Sequence, residues 1–186
     1  MSPTATEVES VESGPSKRRA MSRVTSLESL VGAHPDALRG MFTGARPTDP
    51  SELGDAPRGR ILAVEPLQDI FMLTRPLQRL LGSGRFPWTG KVFDHGGNSG
   101  QNVMFGRKAA RFRSEVATSD LDGASSLVFH YDDPGFKNPW PISVVRGELR
   151  TIAIGIAIGA LTVASRKGAR SVVLWWGLET ASQAAT

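Results

Sequence analysis

Cysteine is absent from the 186-residue chain. That excludes disulfides, thiolate metal sites and a cysteine nucleophile. Histidine is scarce. His34, His95 and His130 are the full set, no two stand at metal-ligand spacing, and no metal site is expected. No redox or nucleotide signature is present either. The glycine-rich stretch Gly96-Gly97-Asn98-Ser99-Gly100 lacks the Lys-Ser/Thr of a phosphate loop and opens no helix, so it reads as a turn. No cofactor is expected. No apolar run reaches the roughly 20 residues of a spanning helix. The most apolar stretch, 152–164, covers 13 residues before Arg166, Lys167 and Arg170 interrupt it. No apolar segment of roughly 7–15 residues follows the basic cluster Lys17-Arg18-Arg19, as a secretory signal requires. A cytoplasmic location is the expectation.

What is present describes an ordinary globular protein, 40% hydrophobic and 22% charged. The length suits one domain over 25–180. Residues 1–24 are rich in Ser, Thr, Glu, Pro and Ala and carry almost no large apolar side chains. Such a tail cannot offset ordering entropy by burial, so it reads as disordered when free, with a lid over a bound ligand as the alternative. Residues 181–186 read as a disordered end. The net charge of +4 and pI of about 10 lie partly in Lys17, Arg18, Arg19 and Arg23. No aromatic residues interleave with basic ones as on an RNA-binding sheet, and no nucleic-acid partner is expected. A homodimer is compatible with the composition.

The pattern along the chain is that of short strands. Ser26 precedes Leu27, Leu30 and Val31 at helical spacing, and His34-Pro35 ends or restarts that helix. Residues 47–57 are a loop, and 60–65 form a strand. Pro66 opens a helix over 66–81, which Gly82 and Gly84 end. Strands come next at 88–94, 102–105, 111–118, 126–132 and 142–150, with a bulge at 106–108. Asp132-Asp133 ends a strand rather than binding a cation. Last come two apolar segments, 152–164 and 171–178, around a basic turn at Lys167-Gly168, which predicts a β-hairpin. Both of its strands are apolar on both faces. A strand of that kind packs on each side, as in a barrel whose interior is filled or holds a ligand and whose exterior is covered. The sequence therefore predicts a mainly β fold: an antiparallel up-and-down barrel of about eight strands with one or two short N-terminal helices. Closure removes exposed edges. A membrane-surface or interaction module using 152–178 as an apolar patch is the reading from another class. Membrane insertion is not expected.

The chain resembles the lipocalin/calycin-type barrels. The residues concerned are Gly40-Met41-Phe42-Thr43-Gly44, then Trp88-Thr89-Gly90-Lys91, then a run of meander strands, over roughly 38–179. It departs from that family in carrying Phe42 where a G-x-W element stands, in lacking an interlocking cysteine and in placing its helix early. The resemblance implies binding of a hydrophobic small molecule inside the barrel. Some compact intracellular members are cyclases of polyketide pathways, including Diels–Alderase-type enzymes with a flexible N-terminal segment over the pocket.

In the hairpin 110–132, a turn centred on Leu121-Asp122 sets Arg113 opposite His130, Glu115 opposite Val128 and Arg111 opposite Asp132. The other face then carries Phe112, Ser114 and Val116 against Tyr131, Phe129 and Leu127. The charged face is either a polar site, with His130 as acid, base or donor, or a solvated face of cross-strand ion pairs worth about 0–1 kcal/mol each. In the last hairpin Trp176 falls opposite Gly159, Leu174 opposite Leu161, and Trp175 opposite Ala160. Small residues facing large ones either interlock or leave room for a ligand.

Taken with the resemblance, which implies a polyketide-like ligand and its cyclisation, these patterns lead to the expectation of a barrel that binds a hydrophobic, polyketide-like molecule and cyclises it without a cofactor, since positioning and a few hydrogen bonds suffice for a ring closure. His130, Glu115 and Tyr131 are the candidate catalytic residues. Trp88, Phe112, Phe129 and Trp176 are the candidate wall. The rival is a non-catalytic carrier or resistance-type binding protein with the same pocket.

Overall fold

A computed structural model describes residues 24–65, 87–164 and 170–181. The helix expected over 66–81, the lid role of the tail, the Lys167-Gly168 turn and the C-terminal end lie outside these residues.

The described residues form one helix, α1 (Pro35–Thr43), and nine strands. These are β1 (Arg46–Pro47), β2 (Arg58–Val64), β3 (Trp88–Phe93), β4 (Ser99–Met104), β5 (Arg107–Thr118), β6 (Ser125–His130), β7 (Val145–Ala153), β8 (Ile156–Ala164) and β9 (Arg170–Glu179). Strands β2 to β9 pair in chain order, all antiparallel, and β9 closes on β2. The result is a closed eight-stranded barrel, with the short β1 added beside β7 at Arg150 and Thr151. Closure leaves no free edge strand in the barrel, although β2 and β3 pair only at Arg58 and Gly90.

The expected registers are present. Arg113 pairs with His130, Ser114 with Phe129, Glu115 with Val128 and Val116 with Leu127. Trp176 pairs with Gly159, Trp175 with Ala160 and Leu174 with Leu161. The β5–β6 ladder stops at His130, so Arg111 and Asp132 do not pair within it. Beyond that point Asn138 Nδ2 bridges the strands, donating to the carbonyl oxygens of Arg111 at 2.7 Å and Tyr131 at 2.9 Å.

Three local expectations are corrected. The apolar run 152–164 is not one strand. It divides at Ile154-Gly155, where Gly155 takes φ +69 and Ile154 is exposed, so its first residues belong to β7. A continuous apolar run carries no mark of a turn except its glycine. The irregularity expected at 106–108 is instead a two-residue turn, Phe105-Gly106, with φ of +51 and +70. The bulge lies nearby at Ala110, φ +51, where the β4–β5 register shifts. Residues 142–144 form a 3-10 turn before β7 begins.

Two apolar clusters explain the two-faced strands. Inside the barrel, Phe93, Phe112, Phe129, Leu149 and Trp176 pack together. Outside, α1 and the 3-10 turn Leu27–Leu30 cover the sheet, seating Leu27, Leu38 and Phe42 against Leu62, Ile158 and Trp175. Pro35 sits in the first turn of α1, where its missing N–H has no partner to lose. His34 Nδ1 caps that helix by accepting from Asp36 N at 3.3 Å. The core segments of β8 and β9 are buried on both faces and so present no open apolar patch. No helix among the described residues is long and apolar enough to cross a membrane.

Candidate functional site

The site begins with a glycine. Strict alternation along β3 puts Trp88 on one face and Lys91 on the other. The register shifts between Trp88 and Gly90, and Gly90 adopts φ +147. A bulge of this kind reverses the parity of the residues beyond it. Trp88, Lys91 and Phe93 therefore all point into the barrel, whereas Thr89 is exposed.

Lys91 is 2% exposed and carries its amine into an apolar interior. Its Nζ donates to Asn102 Oδ1 at 2.9 Å and to the Tyr131 hydroxyl at 2.7 Å. Ring centroids of Phe129, Phe112, Trp176 and Tyr131 lie 4.4, 4.5, 5.0 and 5.3 Å away. No carboxylate pairs with it among the described residues. Ring faces favour an ammonium by about 0.5–2 kcal/mol each. Burial without a counter-charge acts the other way, and it pushes the amine well below its ordinary value. Burial likewise pushes the Tyr131 phenol up, which keeps it protonated.

Asn102 ties these groups together. Its Oδ1 also accepts from Trp88 Nε1 at 3.0 Å, and its Nδ2 donates to the bulge carbonyl of Ala110 at 3.1 Å and to the Tyr131 hydroxyl at 3.3 Å. The Tyr131 oxygen accepts from both Lys91 and Asn102, so its own proton is left for the cavity.

That cavity measures about 130 Å³ and lies at one end of the barrel. Trp88, Lys91, Asn102, Tyr131 and Trp176 line it together with aliphatic side chains such as Ile61, Met104 and Leu161. Trp176 Nε1 is buried with no hydrogen-bond partner among the described residues. The polar side chains of an otherwise largely apolar lining are thus Lys91, Asn102 and Tyr131, besides the two tryptophans.

Of the wall candidates, Trp88 and Trp176 line the cavity. Phe112 and Phe129 are fully buried beneath Lys91 and belong to the packed interior. The catalytic candidates divide. Tyr131 faces the cavity, whereas His130 and Glu115 lie on the outer face. There His130 Nε2 approaches Glu115 Oε1 at 3.0 Å, out of line for a hydrogen bond, and Arg113 holds Glu115 at 3.1 Å. Burial first, then Arg113, lowers the His130 pKa, so the imidazole is neutral at pH 7. These two residues match the solvated-face alternative and do not reach the cavity. Sequence reasoning misses Lys91 and Asn102. Gly90 inside a strand pattern is the one signal for them, since an interior glycine marks a bulge.

No family model matches the chain, and no curated protein does either. The fold is similar to that of a crystal structure of a protein from Thermomonospora curvata, at 15% identity and a TM-score of 0.53 over 83% of this chain and 92% of that one. At that identity the likeness speaks for the fold alone: a closed eight-stranded antiparallel barrel.

Proposed function

We propose that the protein binds a hydrophobic, polyketide-like small molecule in the barrel cavity and closes a ring in it without a cofactor. The observation that carries this reading is a largely apolar cavity whose few polar lining side chains include Lys91, Asn102 and Tyr131, joined by hydrogen bonds. A ring closure of this type needs a reactive chain held near its attack geometry, and positioning contributes several kcal/mol, up to about 7–11 in the best-oriented systems. Donors aimed at a carbonyl oxygen whose charge grows in the transition state add to that, more strongly in a dry site.

Size narrows the reading. A cavity of about 130 Å³ is close to the roughly 150 Å³ that accepts a benzene ring. It holds one ring or a short bent segment at the polar end. The remainder of a longer ligand extends past Met104 and Pro141, whose chain neighbours Phe105 and Trp140 are large and exposed.

The test is incubation of the protein with a panel of linear polyketide-like polyenes that carry a carbonyl, followed by liquid chromatography and mass spectrometry. A product of unchanged mass and altered retention, lost in Tyr131→Ala, is expected. Unaltered ligand that stays with the protein through gel filtration makes it a carrier. Absence of both binding and turnover refutes the pocket.

A further inference from the structure

We propose that Lys91 is a nucleophile whose Nζ forms a reversible imine with an aldehyde or ketone carbonyl of the bound ligand. The proposal rests on the reading of the cavity as a ligand site and specifies the ligand's chemical class.

The geometry supports it in three ways. First, Lys91 is one of the residues that line the cavity, and its Nζ is hydrogen-bonded to two others, Asn102 and Tyr131. Second, its neighbours are acceptors and rings, not acids, so no carboxylate holds it as an ammonium among the described residues. Among the described residues the titratable group facing it is Tyr131, just after β6, while β4 supplies the neutral Asn102 and β9 the neutral Trp176. Third, the Tyr131 hydroxyl stands 2.7 Å from Nζ, within reach of an oxygen on the attacked carbon. Lowered basicity from burial then supplies the free amine that the attack consumes.

The step balances without a further reagent. The Nζ lone pair forms the N–C bond, and the carbonyl oxygen takes up the proton shed by nitrogen to give a carbinolamine. Tyr131 donates its proton as the C–O bond breaks, and water leaves. The second nitrogen proton returns to the tyrosine oxygen, which leaves a neutral imine. Protonation of that imine withdraws electrons from a conjugated C=C, and this activates the double bond towards cycloaddition. Water reverses the sequence and releases the carbonyl product.

The experiment treats the full chain with benzaldehyde and cyanoborohydride at pH 7 and maps the reduced adduct by peptide mass spectrometry. Benzaldehyde is a single ring bearing a carbonyl, which suits the space. Surface amines at Lys108 and Lys137 are internal controls, both being exposed. Each unit by which an amine's pKa is lowered yields about tenfold more free amine at pH 7. The Lys91 adduct is therefore expected to exceed those at Lys108 and Lys137 by about tenfold or more. It should disappear in Lys91→Met, fall when toluene competes, and form more slowly in Tyr131→Phe. Toluene binding, read from the fluorescence of the cavity tryptophans, tests the pocket without the chemistry. If both compounds bind while Lys91 labels no faster than the surface lysines, the imine is refuted and the pocket stands. If neither binds, the pocket reading fails and the imine with it. Should Lys91→Met not fold, the map of the unaltered protein still decides.

Discussion

Lys91 is buried with no counter-ion among the described residues, and such burial is a cost to folding. The unfolded chain holds the Lys91 proton up to the ordinary lysine value near pH 10.4, whereas the folded chain gives it up at lower pH. Between those two values the unfolded state binds more protons, so stability rises with pH, by about 1.4 kcal/mol per unit. Below the window, folding carries the full cost. Lys91→Met removes that slope. It is expected to raise the melting temperature at pH 7, with the advantage shrinking towards pH 10, and thermal melts across that range check it. The opposite trend would show that the amine is held charged. Trp176 makes a related case, because its buried N–H has no partner among the described residues. Trp176→Phe keeps the ring and deletes the donor. With the unpaired donor gone, the stability of the protein is expected to hold or rise, and urea unfolding checks it.

At the scale of the strand, one backbone position sets the site. Gly90 turns β3 so that Trp88 and Lys91, three residues apart, share the interior. A Cβ there would overlap the Pro57 carbonyl oxygen, and the positive φ disfavours any side chain. Gly90→Ala is therefore expected to destabilise the protein by about 1–3 kcal/mol or more in urea unfolding. It should also abolish ligand binding at a temperature where the barrel remains folded. Gly159 serves β8 differently: its missing Cβ makes room for the Trp176 ring and the Glu148 carbonyl. The pairing of Gly159 with Trp176 is legible in the sequence, because register follows from turn position and from which face is apolar. The inward turn of Lys91 is not legible there. The bulge that reverses parity is a shift in the pairing of β3 with β4, and that pairing does not exist in a strand read alone. For the same reason His130 and Glu115 fall on neighbouring strands as expected, yet the pocket lies on the other side of the sheet.

Across the whole molecule, the outer cluster ties the N-terminal helix to the barrel, and a buried arginine locks it there. Arg150 is fully buried, holds Asp122 through two contacts of 2.6 Å, donates to the Phe42 carbonyl at the end of α1, and lies 4.3 Å from the Phe42 ring centroid. Its Nε also donates to Ser126 Oγ. The hydrogen bond from Arg150 holds the Asp122 carboxyl below its ordinary value. The folded chain thus releases this proton at lower pH than the unfolded chain does. The stabilisation is complete above about pH 4 and is lost as pH falls through the folded value. Acid titration of stability between pH 2 and 6 should show that loss, and Asp122→Asn should flatten it. Removing the carboxylate with Asp122→Ala leaves Arg150 buried and uncompensated, at a cost of about 3–5 kcal/mol at pH 7.

Periodicity and turn chemistry carried the architecture: short alternating strands, early helical residues, and a hairpin whose two apolar faces require a covered exterior and an interior that is filled or holds a ligand. These are local properties, and each strand's side-chain period carries them. Only the tertiary structure decided what the interior contains. The Lys91 amine is accommodated inside because Asn102, Tyr131 and the rings of Phe112, Phe129 and Trp176 converge on it from elsewhere in the barrel. Convergence of that kind depends on barrel closure and on one bulge, which no single segment encodes.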